Sequence, residues 1–293
     1  MTEPLQDMWS EWLLKRRFGG DPERMKRMMG FLYPIRDKVL SHVDLGETET
    51  LLDVGCGDGL IGFGALEKFT GCRVIFSDIS EDLLNHAENL ARDMGVRDRC
   101  EFLRASADDL SMLEVGSVDA VTTRSVLIYV SEKQKAFNEF YRVLRPGGKL
   151  SIFEPINRFA FPELPNRFGG YDVTPVVEIA QKLNALYEQL QPFDTDPMTD
   201  FDERDLLSQA ENASFAEVYL ELQAEIKPHE LADWSGVLNT AGNPKIPTLA
   251  EAMQQVLTPE EAEKFTDHMR PLVEGRQGTR RMARAYLWAM KQA

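Results

Sequence analysis

The sequence predicts a doubly wound α/β core carrying helical additions. Three observations lead there: short β-rich runs alternate with helical stretches from Leu51 to about Leu150, a glycine-rich loop follows the first run, and an acid closes the second. The strand candidates, in order, are TLLDV (50–54), RVIFSD (73–78), CEFLRA (100–105), VDAVTTR (118–124) and KLSIFEP (149–155). All are short and rich in β-formers. Between them lie the helical stretches LIGFGALEKF (60–69), EDLLNHAENLARDMG (81–95) and EKQKAFNEFYRVL (132–144). In the second, Ser80 reads as the N-cap, Leu83, Leu84, Ala87, Leu90 and Ala91 share one face, and Gly95 closes the helix.

Beyond Pro155 the alternation stops. An aromatic, turn-rich segment leads to a helix from Val176 to Leu190, then to ERDLLSQAENA (203–213), the strand-like FAEVYLELQAEI (215–226), a helical stretch from His229 to Glu274, and the final strand RRMARAYLWAMK (280–291). The expected organisation is an N-terminal helical lid (1–45), a ligand-binding core (46–156), a cap insertion (157–200), the core continued (201–227), a helical cap insertion (228–275) and a last core strand (276–293).

Composition narrows the partners. Hydrophobic content of 43% and charged content of 28% are those of a water-soluble globular chain, and no window is apolar enough for a membrane span. The N-terminus carries acids early and bases late, the reverse of a secretory signal, so a cytoplasmic location is expected. Cys56, Cys72 and Cys100 cannot all pair and have no C-x-x-C spacing, which argues against a disulfide framework and a zinc site. A net charge of −15 repels polyanions, so nucleic acid is not an expected partner.

The glycine loop admits two readings. From Gly57 it is Gly57-x-Gly59-x-x-Gly62, the dinucleotide fingerprint; from Asp53 it is Asp53-x-Gly55-x-Gly57-x-Gly59. Charge separates them, because a dinucleotide lays a pyrophosphate over these glycines. Asp53 and Asp58 would oppose it, each at a cost of about 3 kcal/mol if some 5 Å away at an effective dielectric near 20. A ligand with an ammonium and a sulfonium would be attracted instead. S-adenosylmethionine is such a ligand.

Asp53-x-Gly55-x-Gly57-x-Gly59, Asp78, ASADDL (105–110), VDAVTTRSVLIYV (118–130) and RVLRPGGKLSIFEP (142–155) together resemble the class I S-adenosylmethionine-dependent methyltransferases, in the branch acting on small molecules. The resemblance implies a Rossmann-like, mostly parallel seven-stranded sheet with helical cap additions. It also implies a set of cofactor-binding residues. Gly55, Cys56 and Gly57 would pass their backbone under the cofactor, with Cys56 a small loop residue rather than a reactive thiol. Asp53 would act near the methionyl ammonium, directly or through water, Asp78 would take the ribose hydroxyls and Ile79 would pack on the adenine. Ser106 stands where the family often has an acid for the adenine amino group, with Ala107 offering its N–H beside it. Arg124 follows the fourth strand, where the family lines the cofactor, and Tyr33 is the expected lid aromatic. For Asp53 and Asp78 the structural alternative is a helix cap.

The additions carry Trp9, Trp12, Phe18, Phe31, Tyr33, Phe159, Phe161, Phe168, Tyr171 and Trp234, which as a set suggest an apolar acceptor pocket. None of His42, His86, His229 and His268 forms a dyad with a neighbouring acid, so no catalytic residue is nominated. There is no Asn-Pro-Pro-Tyr sequence after the fourth strand, no thiolate cluster in the additions and no metal constellation. The reading that remains is methyl transfer to oxygen, nitrogen or carbon of a small organic acceptor. Its rivals are a cofactor-dependent cyclisation or rearrangement on the same fold and, disfavoured by the loop acids, an NAD-dependent oxidoreductase.

Overall fold

The computed structural model describes residues 7–19, 21–230 and 233–292, the side chain of Phe18 excepted. The first residues of the expected lid, and the Phe18 side chain, therefore lie outside the described residues. The chain begins with α1 (Met8–Leu14) and α2 (Pro22–Ser41), then alternates β1 (Thr50–Val54), α3 (Leu60–Lys68), β2 (Arg73–Asp78), α4 (Glu81–Asp93), β3 (Cys100–Arg104), β4 (Val118–Arg124), α5 (Lys133–Val143) and β5 (Leu144–Pro155). It continues through β6 (Arg167–Phe168), β7 (Tyr171–Asp172), α6 (Val177–Leu190), α7 (Glu203–Asn212), β8 (Glu217–Pro228), α8 (Trp234–Asn239), α9 (Leu249–Val256), α10 (Pro259–Glu274) and β9 (Thr279–Met290).

Among the described residues the main sheet has seven strands in the order β3-β2-β1-β4-β5-β9-β8. Strands β1 to β5 are parallel, and β9 runs antiparallel between β5 and β8. This is the expected mostly parallel, doubly wound sheet. Its chain order reverses between β1 and β4, and a crevice opens there beyond the carboxyl ends of the strands.

Burial explains why these runs are strands. Leu51, Leu52 and Val54 of β1 and Val74, Ile75 and Phe76 of β2 are all buried, because helices cover both faces. One face packs on α2, α3 and α4 through residues such as Ile35, Val39, Ile61, Phe76 and Leu84. The other packs on α5 and α7 through Phe137, Phe140, Leu206 and Ala210. The cap insertions meet each other: Tyr171, Val176, Ile179 and Leu183 join Trp234, Leu249, Phe265 and Met269 in a third apolar cluster.

Two expectations change. The stretch from His229 to Glu274 is not one helical run but α8, α9 and α10, broken where Gly242, Pro244 and Pro247 interrupt. Thr248 and Thr258 restart it, each in a reciprocal capping box with Glu251 or Glu261. Strand β5 starts at Leu144 rather than Lys149, and absorbs Arg145-Pro146-Gly147-Gly148 through an irregular register against β4. No helix among the described residues is long and apolar enough to cross a membrane.

Candidate functional site

The loop between β1 and α3 floors the crevice. Gly55 and Gly57 have φ of +62° and +55°, a region that side chains rarely enter, and a Cβ on Gly55 would lie 2.4 Å from Val126 Cγ2. Both glycines line the cavity, so backbone rather than side chain faces it there. Cys56 between them is buried; its N–H donates to the Ser77 carbonyl at 2.9 Å. Burial, followed by the charges of Asp78 and Asp53, raises its thiol pKa, so it stays protonated.

Asp53 lies beneath the loop. It is not among the cavity-lining residues; its Oδ2 accepts the Gly62 N–H at 3.0 Å and its Oδ1 the Thr122 hydroxyl at 3.2 Å. The residue closes the first turn of α3 from beneath, the geometry of its structural alternative. Asp58 Oδ1 lies 3.4 Å from the Leu60 N in the same turn. The amides on which a dinucleotide would rest its pyrophosphate thus already face carboxylates.

Burial pushes the Asp53 carboxyl up to about 7, against the pull of Gly62, Arg124 and Thr122. An acid raised in this way contributes stability that is full below pH 4 and is lost as pH rises through about 7. Asp53→Asn keeps a carbonyl acceptor for the Gly62 N–H and turns an amide donor toward the Thr122 hydroxyl oxygen, which can accept it, so it should flatten this dependence. The variant should gain on the parent by up to about 4 kcal/mol between pH 4 and 8. Urea unfolding across that range measures it, and parallel profiles would mean that Asp53 ionises as an ordinary carboxyl.

Asp78 ends β2 at the mouth of the cavity. Its Oδ2 accepts the Gly57 N–H and its Oδ1 the Ser80 N–H, both at 2.9 Å, so the carboxylate is fixed in orientation with lone pairs to spare. Burial raises its pKa, and those amides resist the rise. Ile79 beside it is 44% exposed and lines the cavity, as do Ser106 and Ala107. The Ser106 hydroxyl donates to Asp108, whose carboxylate also reaches the cavity wall. Asp108 is a lining acid that the sequence reading passed over, although it stands in the same ASADDL stretch.

The end of β4 forms the opposite wall. Arg124 Nη2 stands 3.8 Å from Asp58 Oδ1, and Ser125 takes φ +58°, a strained conformation for a non-glycine residue. The turn is held by Glu154 at the end of β5, fully buried, whose carboxylate accepts the N–H groups of Val126, Leu127 and Ile128 at 2.9, 3.0 and 3.3 Å. Burial pushes the Glu154 carboxyl up to about 7. Val126 and Tyr129, which this turn presents, face the cavity.

The lid is α1. Trp9, Trp12 and Leu13 line the cavity, and Tyr129 meets Trp9 edge to face with ring centroids 4.9 Å apart. Asp7 caps the helix and accepts the Ser80 hydroxyl at 2.6 Å, while its own N–H donates to Asp82 at 2.8 Å; together these fasten α1 to the start of α4. Trp12 Nε1 donates to the Ala241 carbonyl at 2.9 Å, tying the lid to the second cap insertion.

Tyr33 does not occupy this position. It is 46% exposed on α2, with the Arg36 guanidinium 4.8 Å from its ring centroid, because Leu32, Ile35 and Val39 claim the inward face of that helix. Of the other aromatics proposed for the pocket, Phe168, Tyr171 and Trp234 pack within the cap cluster. Phe31 and Phe159 carry the guanidinium groups of Arg284 and Arg281, and Phe161 is exposed.

The cavity so bounded holds about 350 Å³ and runs from Asp78 and Ile79 past the glycines to Arg124, Arg17 and the tryptophans. Residues 51–148 match the family model described as a methyltransferase domain. The ubiquinone/menaquinone biosynthesis C-methyltransferase UbiE of Escherichia fergusonii is 35% identical over 114 residues, which are 39% of this chain and 45% of that protein. The chain thus spans less than half the length of the curated relatives it matches. The YcgJ protein of Bacillus subtilis shares the fold at a TM-score of 0.57 and 13% identity, covering 89% of this chain and 99% of that one. The cyclase SpnF shares it at 0.52 and 20%, covering 89% and 81%. Residues 51–148 are thus similar to methyltransferase domains, and the chain around them shares the fold of these solved structures.

Proposed function

We propose that the protein transfers a methyl group from S-adenosylmethionine to an oxygen, nitrogen or carbon atom of a small organic acceptor. The observation that carries this reading is the cavity at the β1/β4 reversal. Glycine backbone lies along its floor, the fixed Asp78 carboxylate stands in its wall and the aromatic lid lies against it, while the amides suited to a pyrophosphate face Asp53 and Asp58.

The residues present fit the cofactor. Asp78 has free lone pairs for a pair of ribose hydroxyls, Ile79 offers an apolar face to the adenine, and Ser106, Ala107 and Asp108 lie where its polar edge would be read. The backbone of Gly55, Cys56 and Gly57 would run beneath the sugar and amino-acid portion, with Arg124 across from it. Asp53 supports this floor from below rather than meeting the ammonium directly. When bound, the cofactor supplies a methyl group on a positively charged sulfur.

The chain's own contribution is to position and to exclude water. Trp9, Trp12, Leu13 and Tyr129 shield one side of the cavity. Burial raises the Tyr129 pKa, so this residue offers a phenol donor and not a base at neutral pH. None of the four histidines is among the lining residues. The mechanism proposed is accordingly direct displacement on a held acceptor.

The UbiE relative is a C-methyltransferase of ubiquinone and menaquinone biosynthesis, which supports a small organic acceptor and makes carbon one of the atoms to test. Three buried thiols, Cys56, Cys72 and Cys100, support a reducing compartment, and the cytoplasm is proposed. The experiment is incubation with methyl-labelled S-adenosylmethionine and a panel of phenols, amines, carboxylic acids and quinols. Stoichiometric label transfer with release of S-adenosylhomocysteine is expected. Turnover that requires the cofactor without consuming it would replace this reading with a cyclisation or rearrangement.

A further inference from the structure

The main sheet ends on β8, a strand of 12 residues, and among the described residues no strand pairs along its outer side. Such an edge is a template for another strand. The direction of its open groups follows from β9. There Ala283 and Lys291 turn their backbone toward β5: the Ile156 N–H donates to the Ala283 carbonyl and the Lys291 N–H to the Gly148 carbonyl, both at 2.9 Å. The even-numbered residues of β9 therefore face β8, and the register sets each of them opposite an odd-numbered residue. The His229 N–H, which donates to the Gly278 carbonyl at 3.0 Å, continues the same pattern. Val218, Leu220, Leu222, Ala224 and Ile226 are thus left with their N–H and C=O groups turned to the open edge.

Those residues are all apolar and share one face of the sheet, with Leu222 and Ile226 41% and 58% exposed. The usual defences of an edge are thin: the pairing with β9 runs without a bulge, the strand's one lysine is Lys227, and its proline, Pro228, stands only at the end. A second copy of the same strand fits this edge. Antiparallel pairing must set outward groups against outward groups, and a two-fold axis at Leu222 does so, matching Val218 with Ile226, Leu220 with Ala224 and Leu222 with its own copy. On the opposite face that register sets Glu217 against Lys227, Tyr219 against Glu225 and Glu221 against Gln223. A slip by one allowed step brings acids together. Centred on Glu221, it opposes Glu217 to Glu225 and Glu221 to its own copy; centred on Gln223, it opposes Glu221 to Glu225. Backbone direction and charge select the same pairing.

We propose that the protein forms a two-fold dimer by antiparallel pairing of β8 with β8, centred on Leu222, which joins the two sheets into one. None of these residues lines the cavity, so the dimer stands apart from the methyl-transfer reading. In the single chain Lys227 meets Glu225 of its own strand at 2.8 Å; in the dimer it also reaches the second copy's Glu217.

Sedimentation equilibrium of the full chain across the micromolar range tests this, and a species of twice the chain's mass is expected. Leu222→Pro removes an outward N–H and no bond to β9, so the variant should keep the parent's circular dichroism and dimerise about 10-fold or more weakly. The charge variants decide separately. Glu217→Lys and Lys227→Glu each set like charges together at both ends of the pair and should weaken the dimer about 10-fold or more. An equimolar mixture of the two places a lysine opposite a glutamate at both ends, and association should return. A parent that stays monomeric, a dimer indifferent to all three substitutions, or a mixture no tighter than its components would overturn the proposal.

Discussion

Glu154→Ala should lower the unfolding free energy by about 3 kcal/mol and, in whatever folded fraction remains, weaken binding in the cavity. The argument starts from three amides. Val126, Leu127 and Ile128 turn their N–H groups onto one fully buried carboxylate, and nothing else in the described structure accepts them there. Alanine leaves these donors without an acceptor, and water enters only by loosening the turn. The turn carries Val126 and Tyr129 into the cavity and follows Ser125 in its strained conformation, so its loss is also a loss of wall. Glu154→Gln retains one carbonyl oxygen for Val126 and Leu127 and should cost clearly less. Urea unfolding of the two variants measures the difference; equal, small losses in both would mean that the turn holds itself.

Asp78→Ala should weaken binding of S-adenosylhomocysteine by about 1.5–3 kcal/mol, the range for hydrogen bonds to a charged acceptor. The same substitution removes the acceptor of the Gly57 and Ser80 N–H groups, so some destabilisation accompanies it. Asp78→Asn separates the two effects. It keeps one carbonyl oxygen, which can serve the Gly57 or the Ser80 N–H but not both, and loses the charge and half of the acceptor capacity offered to a diol. Affinity should therefore fall in Asp78→Asn as in Asp78→Ala, with a smaller loss of stability than the alanine variant shows. An unchanged dissociation constant in the folded alanine variant would mean that the ribose has been wrongly assigned to this residue.

The core was legible because its physics is local. Buried parallel strands read as short apolar runs, and β1, β2 and β4 begin and end at the residues that pattern gives. The glycines at 55 and 57 and the acid at 78 were legible for the same reason, since each belongs to a turn whose form its own neighbours dictate.

What escaped depends on contacts far apart in the chain. Asp53 sits in the loop's motif, but only the fold shows its carboxylate turned under α3 and away from the cavity. Glu154 looks like the end of an ordinary strand, and the amides it holds lie 26 to 28 residues earlier. The lid was expected from Tyr33, on α2, because members of the resembled family often bring an aromatic from an N-terminal helix over the cofactor. The helix instead spends its apolar face on Leu32, Ile35 and Val39, and the seven-residue α1 supplies the tryptophans. A run that short gives little periodicity to read. Its signal was the Asp7 cap before Trp9 and Trp12, three residues apart on one face.

The most direct test of the account is calorimetric titration of the parent protein with S-adenosylmethionine, S-adenosylhomocysteine and NAD under one set of conditions. The cavity described here predicts saturable one-to-one binding of both adenosyl sulfur compounds and none of NAD. Binding of NAD alone would contradict it.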